Sequence, residues 1–333
     1  MILRGAPLQR VLRVSSLGIL GLILFTACVQ KLGGEGSLRN RRARVVLRKP
    51  LALTIKRELP GAFFEKPISG PHSVRSDLAG NIYFIDEGAQ RVIKLNKEFE
   101  PVREQGGLGS VLGLFRAPQS IAVDNSLNIY VADRELRVIQ RFDQELNYVD
   151  KIELYDETDP LKFGEPSAVG VSSTGDIWIS DRDQTRIVVF DRFNQFKEFY
   201  SDFSSTGGYL VSPGAIYTLG NSHVVVCDNR AGKIVMFDQF GGFLSDFGQG
   251  ILKEPGDVTE DDEGRIWVVD TKLNQVFCFS PSGEELFRTG TGSRSNLGLT
   301  APRGITSLGS NILLIADTGG DRLLVCEFYL EEE

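Results

Sequence analysis

Six times along the chain a proline is followed fifteen residues later by an aspartate. The pairs are Pro71 and Asp86, Pro118 and Asp133, Pro166 and Asp181, Pro213 and Asp228, Pro255 and Asp270, and Pro302 and Asp317. An offset that holds through six copies restricts the chain to architectures built by repetition. Each copy has an apolar segment beginning three residues after its Pro, at Val74, Ile121, Val169, Ile216, Val258 or Ile305. A turn with Gly or Asn follows, then a second apolar segment with a large residue three places before the Asp: Tyr83, Tyr130, Trp178, Val225, Trp267 and Leu314. A third run follows each Asp, and most copies add a fourth, such as "FKEFY" or "GFLSDF".

Four short strands in a unit of 42 to 48 residues predict a radial array of four-stranded antiparallel blades, an all-β, six-bladed propeller. Burial is the physical reason. Segments such as "IYFI", "IWVV" and "VVVC" are apolar on both faces, so each sheet must pack between two neighbours. The sixth copy stops sixteen residues after Asp317, short of room for a full fourth strand. Counting back sixteen from Pro71 lands on Ile55 in "LTIKREL", whose alternating pattern suits a strand. Residues 53–59 are therefore expected to supply the outer strand of the sixth blade and close the ring, removing an open sheet edge.

The six copies resemble the NHL repeat, whose unit reads broadly P-x-G-I-A-V-D, G-N-I-Y-V-A-D and R-I-x-V-F. The resemblance covers residues 71–327 and implies the propeller fold. It departs in the polar loop after each Asp, where Asn274 is a rare survivor of the family pattern and blade two has shifted its Arg to Arg137. Fold and function separate at that point, because function lives in loops grafted on the frame.

The amino-terminal part differs in kind. Arg4, Arg10 and Arg13 precede an apolar run from Val14 to Phe25 and the small-residue sequence "LFTAC". The run is short for a bilayer span, which needs about 20 apolar residues. The order resembles a bacterial lipoprotein signal. That resemblance implies a signal peptide over 1–27, a lipidated Cys28 opening a flexible basic tether over 28–49, and the propeller over 50–333. It also implies an extracytoplasmic protein, anchored to a bacterial membrane by lipid and facing the periplasm. Arg39, Arg41, Arg42, Arg44, Arg48 and Lys49 are placed to meet anionic headgroups. The 333-residue chain carries a net charge of −7, which leaves −16 on residues 50–333 once the basic leader is set aside. A body that acidic disfavours general nucleic-acid binding.

In such a blade the Pro and the Asp lie at one end of the ring. The six aspartates, Asp86, Asp133, Asp181, Asp228, Asp270 and Asp317, share one position in every copy, which assigns them a local structural job accepting N–H groups in the turn that follows. Positions that vary between copies are the better functional candidates. One past each Asp lie Glu87, Arg134, Arg182, Asn229, Thr271 and Thr318; one past each Pro lie His72, Gln119, Ser167, Gly214, Gly256 and Arg303. His72, Arg134, Arg182, Arg230 and Arg303 are expected to form a basic rim able to hold carboxylate or phosphate groups of a partner.

Catalysis has less support. The two histidines, His72 and His223, fall at opposite strand ends on the order of 15 Å apart, too far to share a zinc ion. That weighs against the peptide-amidating lyase among related propellers. Resemblance to lactonase propellers, which bind a divalent ion in the mouth, makes Glu87, Asn229 and Asp257 candidate oxygen ligands, with calcium as the ion such donors suit. Cys227, Cys278 and Cys326 sit in predicted strands of different blades and read as unpaired core residues. The expected function is binding, without a required cofactor: a rigid disc that scaffolds another envelope protein or a cell-wall glycan. A metal-dependent lactonase or hydrolase with its site in the mouth is the alternative.

Overall fold

The structure, a computed structural model, describes residues 47–154, 163–200, 208–290 and 296–331. The signal, Cys28 and most of the tether lie outside the described residues. The six copies form six four-stranded antiparallel sheets, the blades of an all-β propeller. Blade one consists of Pro71–Ser76, Ile82–Asp86, Arg91–Leu95 and Pro101–Gly106, and blades two to five repeat that meander over 118–153, 166–200, 213–247 and 255–288. Blade six takes Gly304–Ser307, Ile312–Asp317 and Arg322–Leu330 from the carboxyl-terminal end and Pro50–Glu58 from the amino-terminal side.

The closing strand runs antiparallel to Arg322–Leu330, with Pro50 opposite Leu330 and Glu58 opposite Leu324. It begins three residues before the expected start because its nine-residue partner offers pairing sites out to Leu330. Arg48, assigned to the tether by the sequence, is already docked. Its guanidinium is 2.7 Å from Glu263 and its carbonyl accepts a bond from Arg265.

Among the described residues the apolar core divides into six clusters, each joining two neighbouring blades. One packs Trp267, Val276 and Cys278 of blade five on Leu313, Leu324 and Phe328 of blade six, with Leu53 of the closing strand among them. The next packs blade six on blade one around Phe84, Ile93 and Leu323, and takes in Leu59, Phe63 and Ile68. Second strands such as Ile82–Asp86 and Ile266–Asp270 are buried along their whole length, whereas the outer Tyr148–Glu153 alternates toward solvent. No blade encloses a core of its own, which is why the copies must close a ring. Cys227, Cys278 and Cys326 are free and buried within these clusters or beside them.

Each repeated Asp clamps the loop that enters its own blade. Asp133 accepts from the backbone of Arg116 and Ala117 at 2.7 and 3.1 Å, Asp228 from Val211 and Ser212 at 2.7 and 3.0 Å, and Asp270 from Lys253 and Glu254 at 2.6 and 3.0 Å. Asp86, Asp181 and Asp317 take Ser69, Gly164 and Thr300 in the same way. The following turn, where sequence places the donors, contributes Leu136, Ala231 and Leu273. In blades one, three and six an arginine five residues on (Arg91, Arg186, Arg322) adds a charged bond. Such charge-assisted bonds to a buried carboxylate account for its invariance.

A second bond recurs in blades one, two and five and lacks its acceptor in blade three. Tyr83, Tyr130 and Trp267 donate to Asp77, Asp124 and Asp261 at the turn between first and second strands. Blade three has Ser172 at that position, and the buried Nε1 of Trp178 has no partner among the described residues. Asp176 stands where blades one and two have Asn81 and Asn128. The double substitution Ser172→Asp with Asp176→Asn recreates the pattern of blade two. It is expected to stabilise the protein by about 1 kcal/mol, since a buried donor gains a charged acceptor. A melting temperature equal to or below the parent's excludes this account.

Candidate functional site

The inner strands of the six blades line an axial opening, and at the Pro–Asp end it widens to a mouth of about 790 Å³. All six residues one past each Pro reach it: His72, Gln119, Ser167, Gly214, Gly256 and Arg303. Of those one past each Asp, Arg182, Asn229 and Thr271 line it. The rim residues His72, Arg182, Arg230 and Arg303 are thus brought together, whereas Arg134 lies off the lining, 4.0 Å from Glu165. Lys253 and Lys272 join the mouth, and sequence reading missed both. Their signal was present: each lies two residues from a repeat landmark, Pro255 and Asp270 respectively, in the loops the Asp clamp holds.

The mouth therefore carries five cations, Arg182, Arg230, Lys253, Lys272 and Arg303, against Asp183 and Glu254. None of the five makes an ion pair among the described residues, and Arg182, Arg230, Lys253, Lys272 and Arg303 are all exposed. They come from blades three to six and the loops between them, so the charge forms an arc rather than a full ring. On the other side Gln119 donates to Glu87 at 2.9 Å. His72 stands between the two halves. Burial pulls its pKa down from the usual 6.5 to about 4, opposed by nearby Glu87 and assisted by Arg303, so the ring is neutral at pH 7. Its Nε2 lies 3.4 Å from Arg303 Nη1.

Several variable polar positions prove structural. Ser167 donates to the Pro213 carbonyl at 2.7 Å, Asn229 to Pro255 at 2.9 Å, Thr271 to Pro302 at 2.8 Å and Thr318 to Pro71 at 2.7 Å. Each bond ties one blade to the next. Variation between copies at these sites is a choice of side chain for the same latch.

Below the mouth the channel is closed. Arg75 of blade one reaches Asp257 of blade five with two bonds, 2.7 and 2.8 Å long, and both side chains are buried. Asp257 also accepts the N–H of Ile305 at 3.0 Å and of Val258 at 2.9 Å. The trio Glu87, Asn229 and Asp257 is thereby divided: Glu87 serves Gln119 and both oxygens of Asp257 serve Arg75, while Asn229 donates its amide to Pro255 and keeps a buried Oδ1 without a partner among the described residues. A metal held by these three would have to break a buried, two-pronged ion pair. Among the described residues no group of three or more His, Cys, Asp or Glu side chains is arranged for a metal ion. His223 lies in the turn preceding the second strand of blade four, away from His72 as expected.

No family model matches the chain. Protein brain tumor of Drosophila melanogaster is 33% identical over 131 residues, a stretch that makes up 39% of this chain and 13% of that protein. Among solved structures, a catalytically inactive virginiamycin B lyase from Staphylococcus aureus with quinupristin superimposes with a TM-score of 0.58 at 15% identity. The match covers 83% of this chain and 88% of the lyase. A putative gluconolactonase superimposes with a TM-score of 0.62 at 13% identity, covering 85% of this chain and 95% of its own. At such identities the likeness is one of fold. Among the described residues no helix is long and apolar enough to cross a membrane.

Proposed function

We propose that this protein is an NHL-type propeller lipoprotein of the bacterial envelope, anchored through Cys28, whose cationic mouth binds an anionic envelope partner. The partner is another envelope protein or a cell-wall glycan bearing carboxylate or phosphate groups. The observation that carries this reading is the arc of five exposed cations, without an ion pair among the described residues, on a body of opposite charge. Exposed cations concentrated on an acidic disc have a cost in mutual repulsion and return nothing to the fold, so a ligand is their simplest use. The strand Pro50–Glu58 starts at the face away from the mouth, because Pro50 pairs with Leu330 and Glu58 with Leu324. The described chain thus begins at the face of the disc opposite the site.

The lactonase or hydrolase alternative fits the folds of the lyase and gluconolactonase neighbours as well as binding does. Side-chain engagement favours binding: of the candidate oxygen ligands, Asp257 already holds Arg75 and Glu87 already holds Gln119.

Changing Arg182, Arg230 and Arg303 together to Glu tests the reading with soluble polyglutamate and inorganic polyphosphate as probes. The parent is expected to bind at least one of them, with affinity falling as salt rises. The triple variant should weaken binding by about a hundredfold or more, from three lost charged contacts, with melting unchanged. Binding that survives the triple substitution rejects the cationic mouth as the site.

A further inference from the structure

The Arg75–Asp257 pair leaves a second cavity on the opposite face, about 310 Å³ in volume. That is the lower end of the range for small-molecule sites. Its wall mixes small and hydroxylated residues with the aliphatic Leu78, Val123, Val171, Ile216 and Leu219 and one aromatic, Tyr217, and it differs from the mouth in charge. Arg75 is its cation, already balanced by Asp257. The two acids of the wall, Asp77 and Asp124, are occupied by their turns. Asp77 takes the N–H groups of Ala79 and Asn81, the Asn81 amide and the Tyr83 hydroxyl, and Asp124 repeats the set.

The floor retains unused donors. Arg75 Nη1 donates to Asp257 and to the Val74 carbonyl, each at 2.7 Å, with Ile305 O at 3.3 Å, and Nη2 donates one hydrogen to Asp257. The remaining edge of the guanidinium, Nε–H and the second Nη2–H, is a parallel fork with no acceptor among the described residues. Arg75 is 6% exposed as a residue and lines the cavity. The Tyr217 ring centroid is 5.6 Å from the guanidinium carbon. At the lip, the Asn125 amide and the Ser222 hydroxyl also lack partners among the described residues.

We infer that this cavity is a binding site for an uncharged polyol, a single sugar ring. The ring's C–H face lies on Tyr217, two neighbouring hydroxyls meet the Arg75 fork, and Asn125 and Ser222 take further hydroxyls. A carboxylate or phosphate would suit the fork alone, but Asp257 already neutralises it and Asp77 and Asp124 face the same space, so net charge selects a neutral ligand. The site is independent of the cationic mouth and stands if that reading fails.

The test titrates the full protein with N-acetylglucosamine, glucose and glucuronate, followed by calorimetry and by Tyr ring NMR signals. One of the neutral sugars should saturate with Kd of about millimolar, as one ring and a few hydrogen bonds allow, and glucuronate should bind more weakly. Tyr217→Ala and Asn125→Ala should each weaken the sugar by about tenfold, Tyr217→Phe should retain it, and the triple mouth variant should leave it unchanged. Asn125 sits in a surface turn, so its variant decides the matter if Tyr217→Ala does not fold. Absence of saturation by both neutral sugars, tighter binding of glucuronate, or full binding by the Asn125→Ala variant overturns the site.

Discussion

A chain shortened to begin at residue 62 is expected to lose its cooperative thermal transition, whereas one beginning at residue 47 keeps it. The shortened chain lacks Pro50–Glu58, and Arg322–Leu330 becomes a nine-residue open edge. Two buried leucines go with the strand: Leu53, in the core between blades five and six, and Leu59, in the core between blades six and one. Each buried Leu is worth about 2–5 kcal/mol when cut back to Ala. Losing both and the ladder approaches the entire 5–15 kcal/mol that holds a typical protein folded. The exposed edge also invites pairing with other chains, so aggregation should accompany the loss. The single substitution Leu53→Ala isolates the packing part and should cost about 2–5 kcal/mol by denaturant titration. If the two chains melt alike, the closing strand is an ornament and the ring is held elsewhere.

The second large effect concerns the channel plug. Asp257→Ala leaves the Arg75 guanidinium buried without its counter-charge, and Arg75→Ala does the same to the carboxylate. Either should destabilise by about 3–5 kcal/mol, the usual result of breaking a buried pair from one side. Replacing both at once, Arg75→Met with Asp257→Leu, should be markedly less harmful than the sum of the two single changes, because no charge is left stranded. Asp257 also holds the Ile305 N–H, which makes its removal the worse of the two. Additive losses in this double-mutant cycle would show that the two side chains do not act as a pair. The same double variant removes the donor fork beneath the second cavity, so it should also abolish the sugar binding proposed above.

The plug shows where sequence reading ends. Arg75 and Asp257 are 182 positions apart and occupy different places in their respective copies, so periodicity offers no reason to join them. The same holds for the latches. Asn229, Thr271 and Thr318 stand out as varied positions, yet what they contact is a Pro carbonyl of the next blade, visible only once the blades are side by side. Lys253 and Lys272 reach the mouth because the Asp270 clamp fixes the backbone on which they sit, a consequence of loop geometry rather than of the strand pattern.

Much else was legible from residues alone. The fifteen-residue offset placed Pro71 opposite Asp86, and likewise down the chain to Pro255 opposite Asp270. Segments apolar on both faces announced strands that need neighbours, and the missing outer strand of the sixth copy pointed back to Ile55, which does pair with Cys326. Local pattern reaches this far because strand, turn and blade are set by contacts a few residues apart, repeated six times. Which cations remain free, which polar groups are spent as latches and where the channel closes depend on side chains meeting across an axis. Those distances exist only after the ring has closed.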